Sequence, residues 1–471
     1  MHKVTLMAAC LATQAAALLA LSGCALGPDY KTPPSKAPAA FENTVGDGRE
    51  PPREFWKRFE DPVLDGLVDD ALKANHDIRI AVASLREARA VRREVDANAW
   101  PTVGLSTSAQ RQVIPQSEFP APRDQRTHNA YDASVDASWE ANLFGKFSRG
   151  SESAAASVSA AEAGVAAAQV SVTGEVAINY FQMRGLQLRL KLAHESLQNQ
   201  ESNLDLVQGR LGAGRGTELD TTRAQAQVED TRAAIPALEA AIEVTRYRLA
   251  VLTGRAPTEL ATLSEQAQPL PGIAPVEGIG TPASLLRRRP DIRVAERQLA
   301  AATANIGVAE ADLFPTVTFS GLLGLNSTNL SGLGTGQAFY YNLGGFINWN
   351  VLDFGRIRAR ITQSEAKADS ALAQYEKTVL TALEETEGAL VTFNRNQRRA
   401  DSLFKAAQAS KRAAELARLR FEAGVTDFLV VLDAERQLLN DRDNLAQAQT
   451  DAGTSLVSVY KALGGGWTAT Q

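Results

Sequence analysis

Two periodicities divide this chain. Apolar positions recur at helical spacing over very long stretches, while four shorter segments alternate every second residue. The first helical pattern covers about Leu72 to Ala99 and ends before Pro101, whose ring cannot continue a helix. From about Gly145 to Leu211 a single pattern runs for roughly 67 residues, near 100 Å at about 1.5 Å per residue. Gly212-Ala213-Gly214 stops it with a C-cap signature. Thr217, with Asp220 three residues on, resembles a capping box that opens a helix to about Leu252. The same series returns as Asp291 to Leu313, Gly355 to Glu422 and Thr426 to Leu463. The two shorter helices, roughly 28 and 36 residues, together nearly equal the long one, so end to end they would pair with it antiparallel.

The alternating segments read as strands. Tyr131, Ala133, Val135, Ala137 and Trp139 alternate with Asp132, Ser134, Asp136, Ser138 and Glu140. Val103, Leu105, Thr107 and Ala109 form a second, and Val317, Phe319, Gly321 and Leu323 a third that is apolar on both faces. Leu343, Gly345, Ile347, Trp349 and Val351 form the fourth.

The chain also repeats itself. Asp77-Ile78-Arg79 through Trp100-Pro101-Thr102-Val103 corresponds to Asp291-Ile292-Arg293 through Phe314-Pro315-Thr316-Val317, at an offset of 214. Trp139 to Lys146 corresponds to Trp349 to Arg356 at an offset of 210. The same 210 relates the Gly214 and Gly424 turns, and Leu252-Thr253-Gly254 to Ala462-Leu463-Gly464. Ordered anchors of this kind imply one protein built of two tandem halves, which overrides the three domains that 471 residues suggest. The expected division is 1–23 signal, 24–54 extended tether, 55–255 first repeat, 256–282 linker or equatorial segment, 283–463 second repeat and 464–471 tail.

Composition removes several function classes. With 49 basic and 54 acidic residues the net charge is -5, which disfavours a nucleic-acid partner. Four histidines and two cysteines make a metal or disulfide framework improbable, so no metal and no cofactor is expected. His76, His128 and His194 are scattered. No nucleophile-elbow, zinc-protease or phosphate-loop motif occurs, so an enzyme is not expected. Gly212-x-Gly214-x-Gly216 and Gly332-x-Gly334-x-Gly336 lack the strand–helix setting of a dinucleotide loop and read as turns.

The N-terminus gives the compartment. His2 and Lys3 precede an apolar run from Val4 to Leu21, too short for a membrane span and typical of an export signal. It ends Leu21-Ser22-Gly23-Cys24, which resembles the lipobox of bacterial lipoproteins. That resemblance implies cleavage before Cys24, diacylglycerol and palmitate on Cys24, and, with Ala25 next, outer-membrane sorting. Gly27 to Pro52 is rich in Pro, Gly and charge and cannot fold alone.

Strands of about ten residues cross a thin outer membrane when tilted, and Trp139 and Trp349 stand where interfacial aromatics would lie. Four strands cannot close a barrel, and an open edge in lipid leaves backbone groups unsatisfied. A spanning sheet therefore requires oligomers. Two copies give eight strands with a filled interior, whereas three give twelve and an open lumen.

Arg288-Arg289-Pro290-Asp291-Ile292-Arg293, Ala295-Glu296, Phe314-Pro315, Leu352-Asp353-Phe354-Gly355-Arg356 and Leu432-Asp433-Ala434-Glu435-Arg436 complete an ordered set. With the repeat and the lipobox, that set resembles the TolC/OprM/NodT family of outer-membrane efflux proteins. The resemblance implies an α+β membrane protein: a homotrimeric channel-tunnel with a twelve-stranded β-barrel, four strands per chain, and a long periplasmic α-helical barrel. It implies efflux of small molecules as partner to a periplasmic adaptor (membrane fusion) protein and an inner-membrane pump of RND type. A protein-secretion duct or a pore-less structural lipoprotein are the alternatives.

The resemblance also places a periplasmic gate at the hairpin tips. Gly212, Gly214, Gly424 and Thr426 would be the adaptor-contacting turns. Leu429 would form an apolar constriction, Asp433 a ring of carboxylates and Arg436 a tie on the same helical face, to Asp433 or to a neighbour. Arg223 stands in the first half where Asp433 stands in the second. Arg287 to Arg289 could form a basic patch, but Pro290 at a helix start with Asp291 in the first turn reads mainly as helix capping.

Overall fold

The computed structural model describes residues 25–34, 38–43, 49–118, 120–265, 268–273, 276 and 278–467. Cys24 and the signal lie outside them. Eight helices longer than five residues and four strands follow in order. They are α1 Pro62–Ala74, α2 His76–Ala97, β1 Thr102–Val113, β2 Thr127–Ala141, α3 Lys146–Gly212 and α4 Glu218–Leu252. The second half supplies α5 Pro282–Arg288, α6 Pro290–Ala311, β3 Thr316–Ser327, β4 Phe339–Asn348, α7 Phe354–Glu422 and α8 Phe428–Ala462. No described helix is long and apolar enough to cross a membrane.

The expected helix from Leu72 to Ala99 is two helices, broken at Asn75, whose ψ of 135° is extended. Asn75 Oδ1 accepts from the amides of Asp77 (2.8 Å) and Ile78 (3.2 Å), capping α2, so the break satisfies orphan donors locally. The second half breaks at Arg289, the counterpart of Asn75, because the following Pro290 drives it to a ψ of 120°. The last helix starts later than expected. Asp427 is its N-cap, and Thr426 precedes the cap.

The described residues cluster in two units, 25–33, 85–161 and 295–375 in the first and 34–84, 162–294 and 376–467 in the second. The first unit holds an antiparallel meander in the order β1-β2-β3-β4. One register row joins Leu105, Val135, Leu323 and Tyr341, so the odd-numbered residues share one face and the even-numbered the other. The fourth strand differs from expectation. It begins at Phe339, with Leu325 opposite, and ends at Asn348, leaving Trp349 and Val351 in the turn that follows. Three consecutive aromatics, Phe339-Tyr340-Tyr341, hide its start from any two-residue alternation.

The second unit is built round a buried aromatic and aliphatic core. Phe55, Trp56, Leu64, Tyr180, Phe181, Met183, Leu249, Phe393 and Tyr460 are all essentially inaccessible. Phe55 stacks on Tyr460 at 5.4 Å and Phe59 meets Phe181 edge-on at 4.9 Å. The segment expected as a linker at 256–282 contributes Leu260, Val276 and Ile279 to this core, and the tether contributes Phe41.

Candidate functional site: sheet face, hairpin tips and helix breaks

The odd face of the sheet is apolar, and in the single chain it is open. Leu105, Leu343 and Ile347 are exposed by 78, 71 and 74%. A soluble sheet would bury such a face against a second layer. The even face carries Asp132, Asp136 and Glu140 along β2 and no lysine or arginine; the one arginine of the four strands, Arg111, is on the odd face near the end of β1. Asp132 accepts hydrogen bonds from Tyr340 Oη (2.8 Å) and Asn326 Nδ2 (3.3 Å), joining β2 to both later strands. Leu322 and Phe346 are the apolar exceptions.

Trp139 and Trp349 occupy equivalent places in the two halves. The indole Nε1 of Trp139 donates to the Ala99 carbonyl and that of Trp349 to the Leu313 carbonyl, each at 3.0 Å. Each ties the end of a strand to the chain just past a preceding helix. Both indoles stay substantially exposed, as an interfacial aromatic with one satisfied polar atom should.

In the second unit both tips close alike. Arg215 N bonds Arg210 O and Gly214 N bonds Leu211 O; Val425 N bonds Arg420 O and Gly424 N bonds Phe421 O, all at 2.9 Å. These are paired Schellman closures, with Gly214 and Gly424 at φ of 71° and 72°, where a Cβ would be strained. Thr217 caps α4 by accepting from Asp220 N at 3.2 Å.

The two hairpins share one apolar cluster of Leu204, Val207, Ala224, Val228, Ala417, Phe421, Phe428, Val431 and Leu432. Arg210 stacks over the Phe421 ring at 4.1 Å, and Asn203 Nδ2 donates to both Glu435 oxygens at 2.7 and 2.6 Å. Sequence reading missed these ties, which join residues more than two hundred positions apart. Leu429 is 42% exposed and its first-half counterpart Leu219 56%. Arg223, Asp433 and Arg436 are exposed, and among the described residues none of them has an ion-pair partner, so of the two partners open to Arg436, Asp433 is not reached within the chain.

Burial pushes the Glu435 carboxyl up, while the Asn203 hydrogen bond and the Arg418 charge pull it back. The folded state therefore holds this proton more tightly than the unfolded chain. Its contribution is favourable below the unfolded value and is lost as pH rises through the raised one. Glu435→Gln keeps an acceptor for Asn203 and removes that loss. Its melting temperature should exceed wild type more at pH 8 than at pH 5, and an equal gain at both would exclude this account.

The helix breaks carry a matching pair of links. Asn75 Nδ2 donates to Leu252 O at 2.8 Å, and Arg289 Nη1 donates to Ala462 O at 3.0 Å, the equivalent carbonyl. Arg289 also binds Asp291 (2.7 Å) and Glu385 (2.6 Å) with its side chain 9% exposed, so it does more than assist a cap. Among the described residues, no cluster of three His, Cys, Asp or Glu is placed to hold a metal ion.

Residues 67–255 and 281–465 each match the family described as outer membrane efflux protein, one match per half. The chain belongs to that family. The solvent efflux pump outer membrane protein SrpC of Pseudomonas putida is 32% identical over 468 residues, covering 97% of this chain and 98% of its own. The pyoverdine export outer membrane protein OpmQ of the same species is 32% identical over 466 residues, covering 96 and 97%. Among solved structures, the outer-membrane channel OprN superposes with a TM-score of 0.89 at 42% identity, covering 94% of this chain and all of that one. The open MtrE channel of Neisseria gonorrhoeae gives 0.83 at 28% identity, covering 94 and 98%. This outer membrane efflux protein thus has the fold of the outer-membrane channels, and the expected combination of long helices with four strands per chain holds.

Proposed function

We propose that three copies of this efflux protein form a passive outer-membrane duct for small molecules. A periplasmic adaptor and an inner-membrane pump would supply its cargo. The observation that carries this reading is a four-stranded sheet whose β1 and β4 have no outer neighbour among the described residues and whose apolar face is open. Lipid accepts such a sheet only once copies pair edge to edge, and about twelve strands leave a lumen. The relatives named for solvent efflux and pyoverdine export favour small organic cargo over secreted proteins. Nothing in this role calls for catalysis, and a lipid on Cys24 would be its attached group.

The sheet's polar face would line the lumen, so Asp132, Asp136 and Glu140 from each copy would favour cations there. In planar bilayers the wild type should open discrete, cation-preferring channels. Asp136→Asn with Glu140→Gln should shift the reversal potential in a salt gradient toward neutrality at nearly unchanged conductance. A protein that inserts as a trimer yet shows no channel events is a structural lipoprotein, and the duct is then wrong.

At the tips, Leu429 would supply the apolar ring of a gate and Asp433 an unpaired carboxylate from each copy, with Arg223 its basic counterpart on the first hairpin. Arg436 would tie to a neighbouring copy, since it does not reach Asp433 within its own. The turns at Gly212, Gly214, Gly424 and Thr426 would meet the adaptor. Leu429→Ser should raise resting conductance several-fold by wetting the constriction. Unchanged conductance in Leu429→Ser, Asp433→Ala and Arg436→Ala would remove the gate from these residues.

A further inference from the structure

Residues 25–32 lie on the first unit under unusually many specific contacts for a segment of this composition. Arg149, in the first turn of α3, is their hub, with a side chain only 6% exposed. Its Nε donates to Leu26 O at 2.8 Å, and its Nη2 to Gly27 O at 3.1 Å and to Asp29 Oδ1 at 2.7 Å. Its remaining nitrogen, Nη1, binds Glu152 at 2.8 Å. An extended strand of chain has no ladder to satisfy its carbonyls, and a guanidinium fork can take two neighbouring ones at once.

Backbone shape reinforces this hub. Gly27 has a φ of 85°, and a Cβ there would come within 2.5 Å of Gly307 Cα on α6. A Cβ on Gly307 would strike the Leu26 carbonyl oxygen. Gly145, just before α3, approaches Ala25 so closely that a Cβ would stand 2.6 Å from its Cα. Farther on, Tyr30 Oη and Thr32 Oγ1 both donate to Glu296 Oε1 at 3.2 Å, and Arg297 lies 5.6 Å over the Tyr30 ring. Burial foremost raises the Tyr30 hydroxyl to about 12, so it remains a donor at any physiological pH.

We infer that Arg149 is the positioning residue of a latch that seats the acylated N-terminus beside the β2–α3 junction. The inference rests on the reading of Cys24 as the acylation site. Ala25 is covalently next to Cys24, about 3.8 Å between Cα atoms, so an acyl chain must leave the protein within one residue of Gly145. That junction is also where the strand carrying Trp139 ends. Latched, anchor and barrel enter the same leaflet with almost no slack. With Arg149 gone, the first remaining hold is Tyr30 and Thr32 on Glu296, which frees about six residues with a reach of about 13 Å and lowers the effective concentration of one membrane contact for the other.

The test uses full-length, membrane-inserted protein labelled with palmitate and treated with chymotrypsin, which cuts after Tyr30. Wild type should release labelled peptide slowly. Arg149→Ala should release it at least about tenfold faster, the loss expected if even one of its three hydrogen bonds to the tether counts in full. Arg149→Lys, which keeps charge without the fork, should fall between them. Gly307→Ala puts a Cβ against the Leu26 carbonyl oxygen and 2.8 Å from Arg149 Cγ, so it displaces the tether while keeping the guanidinium and should match Arg149→Ala; it carries the test if Arg149→Ala does not assemble. Release at the wild-type rate in both Arg149→Ala and Gly307→Ala overturns the latch. Absence of palmitate from wild type and its persistence on Cys24→Ser each refute the acylation reading alone. The cut, followed by fragment mass, still judges the latch.

Discussion

Arg289→Ala should destabilise the protein by about 3 kcal/mol or more, the largest loss expected from any single polar truncation in it. The change leaves the Ala462 carbonyl with the longer bond from Thr386 Oγ1 (3.4 Å), and Asp291 and Glu385 without the cation between them. They adjoin a cavity of about 420 Å³ bordered by α3, α7 and α8, so water can enter and keep the loss from growing further. Arg289→Lys retains the charge but not the fork, and should lose roughly half as much. Asn75→Ala, the first-half counterpart, gives up a neutral cap and one neutral bond, about 1 to 2 kcal/mol. Urea titration of the detergent-solubilised protein measures all three. If Arg289→Ala lies within about 1 kcal/mol of wild type, the ion pairs of the buried Arg289 do not hold α6 to α8.

Leu105→Arg and Ser106→Arg should differ sharply although the positions are adjacent. Leu105 lies on the open apolar face in the row with Val135, Leu323 and Tyr341, while Ser106 lies on the face that bears Asp132 and Asp136. An arginine on the lipid face costs about 2 to 4 kcal/mol at mid-depth, whereas one facing water costs little and sits near carboxylates. Outer-membrane fractions should therefore contain much less folded Leu105→Arg protein and near-normal Ser106→Arg protein. Ser106→Arg should also show weaker cation preference. Equal insertion of the two variants would mean that the sheet does not present its odd face to lipid.

The elements that sequence reading placed well are those whose signals are local. Helical periodicity, Schellman glycines and the Thr217 cap act within a few residues, so α3, α4 and both hairpin turns fall within a residue or two of expectation. The repeat was readable because the two halves keep the same capping residues at a constant offset. Where competing local signals overlapped, sequence reading erred. Pro101 and the apolar stripe suggested one helix over Leu72 to Ala99, and Asn75 divides it by capping a second. Trp349 fitted the alternation of β4, yet its indole is drawn to the Leu313 carbonyl after the strand has ended.

What the sequence determined by itself is the long helices and their turns, the duplication and the sidedness of the strands, because each depends on neighbours in the chain. Only the tertiary structure decided which charges are paired. Asp433 and Arg436 have the spacing of a helical ion pair and stay apart. Asn203 and Glu435, Arg289 and Glu385, and Arg149 and the Leu26 carbonyl have no sequence relation and are bonded. The physical reason is desolvation. An exposed pair on one helix gains too little to fix its side chains, whereas a group buried by packing must find a partner wherever the fold brings one within reach.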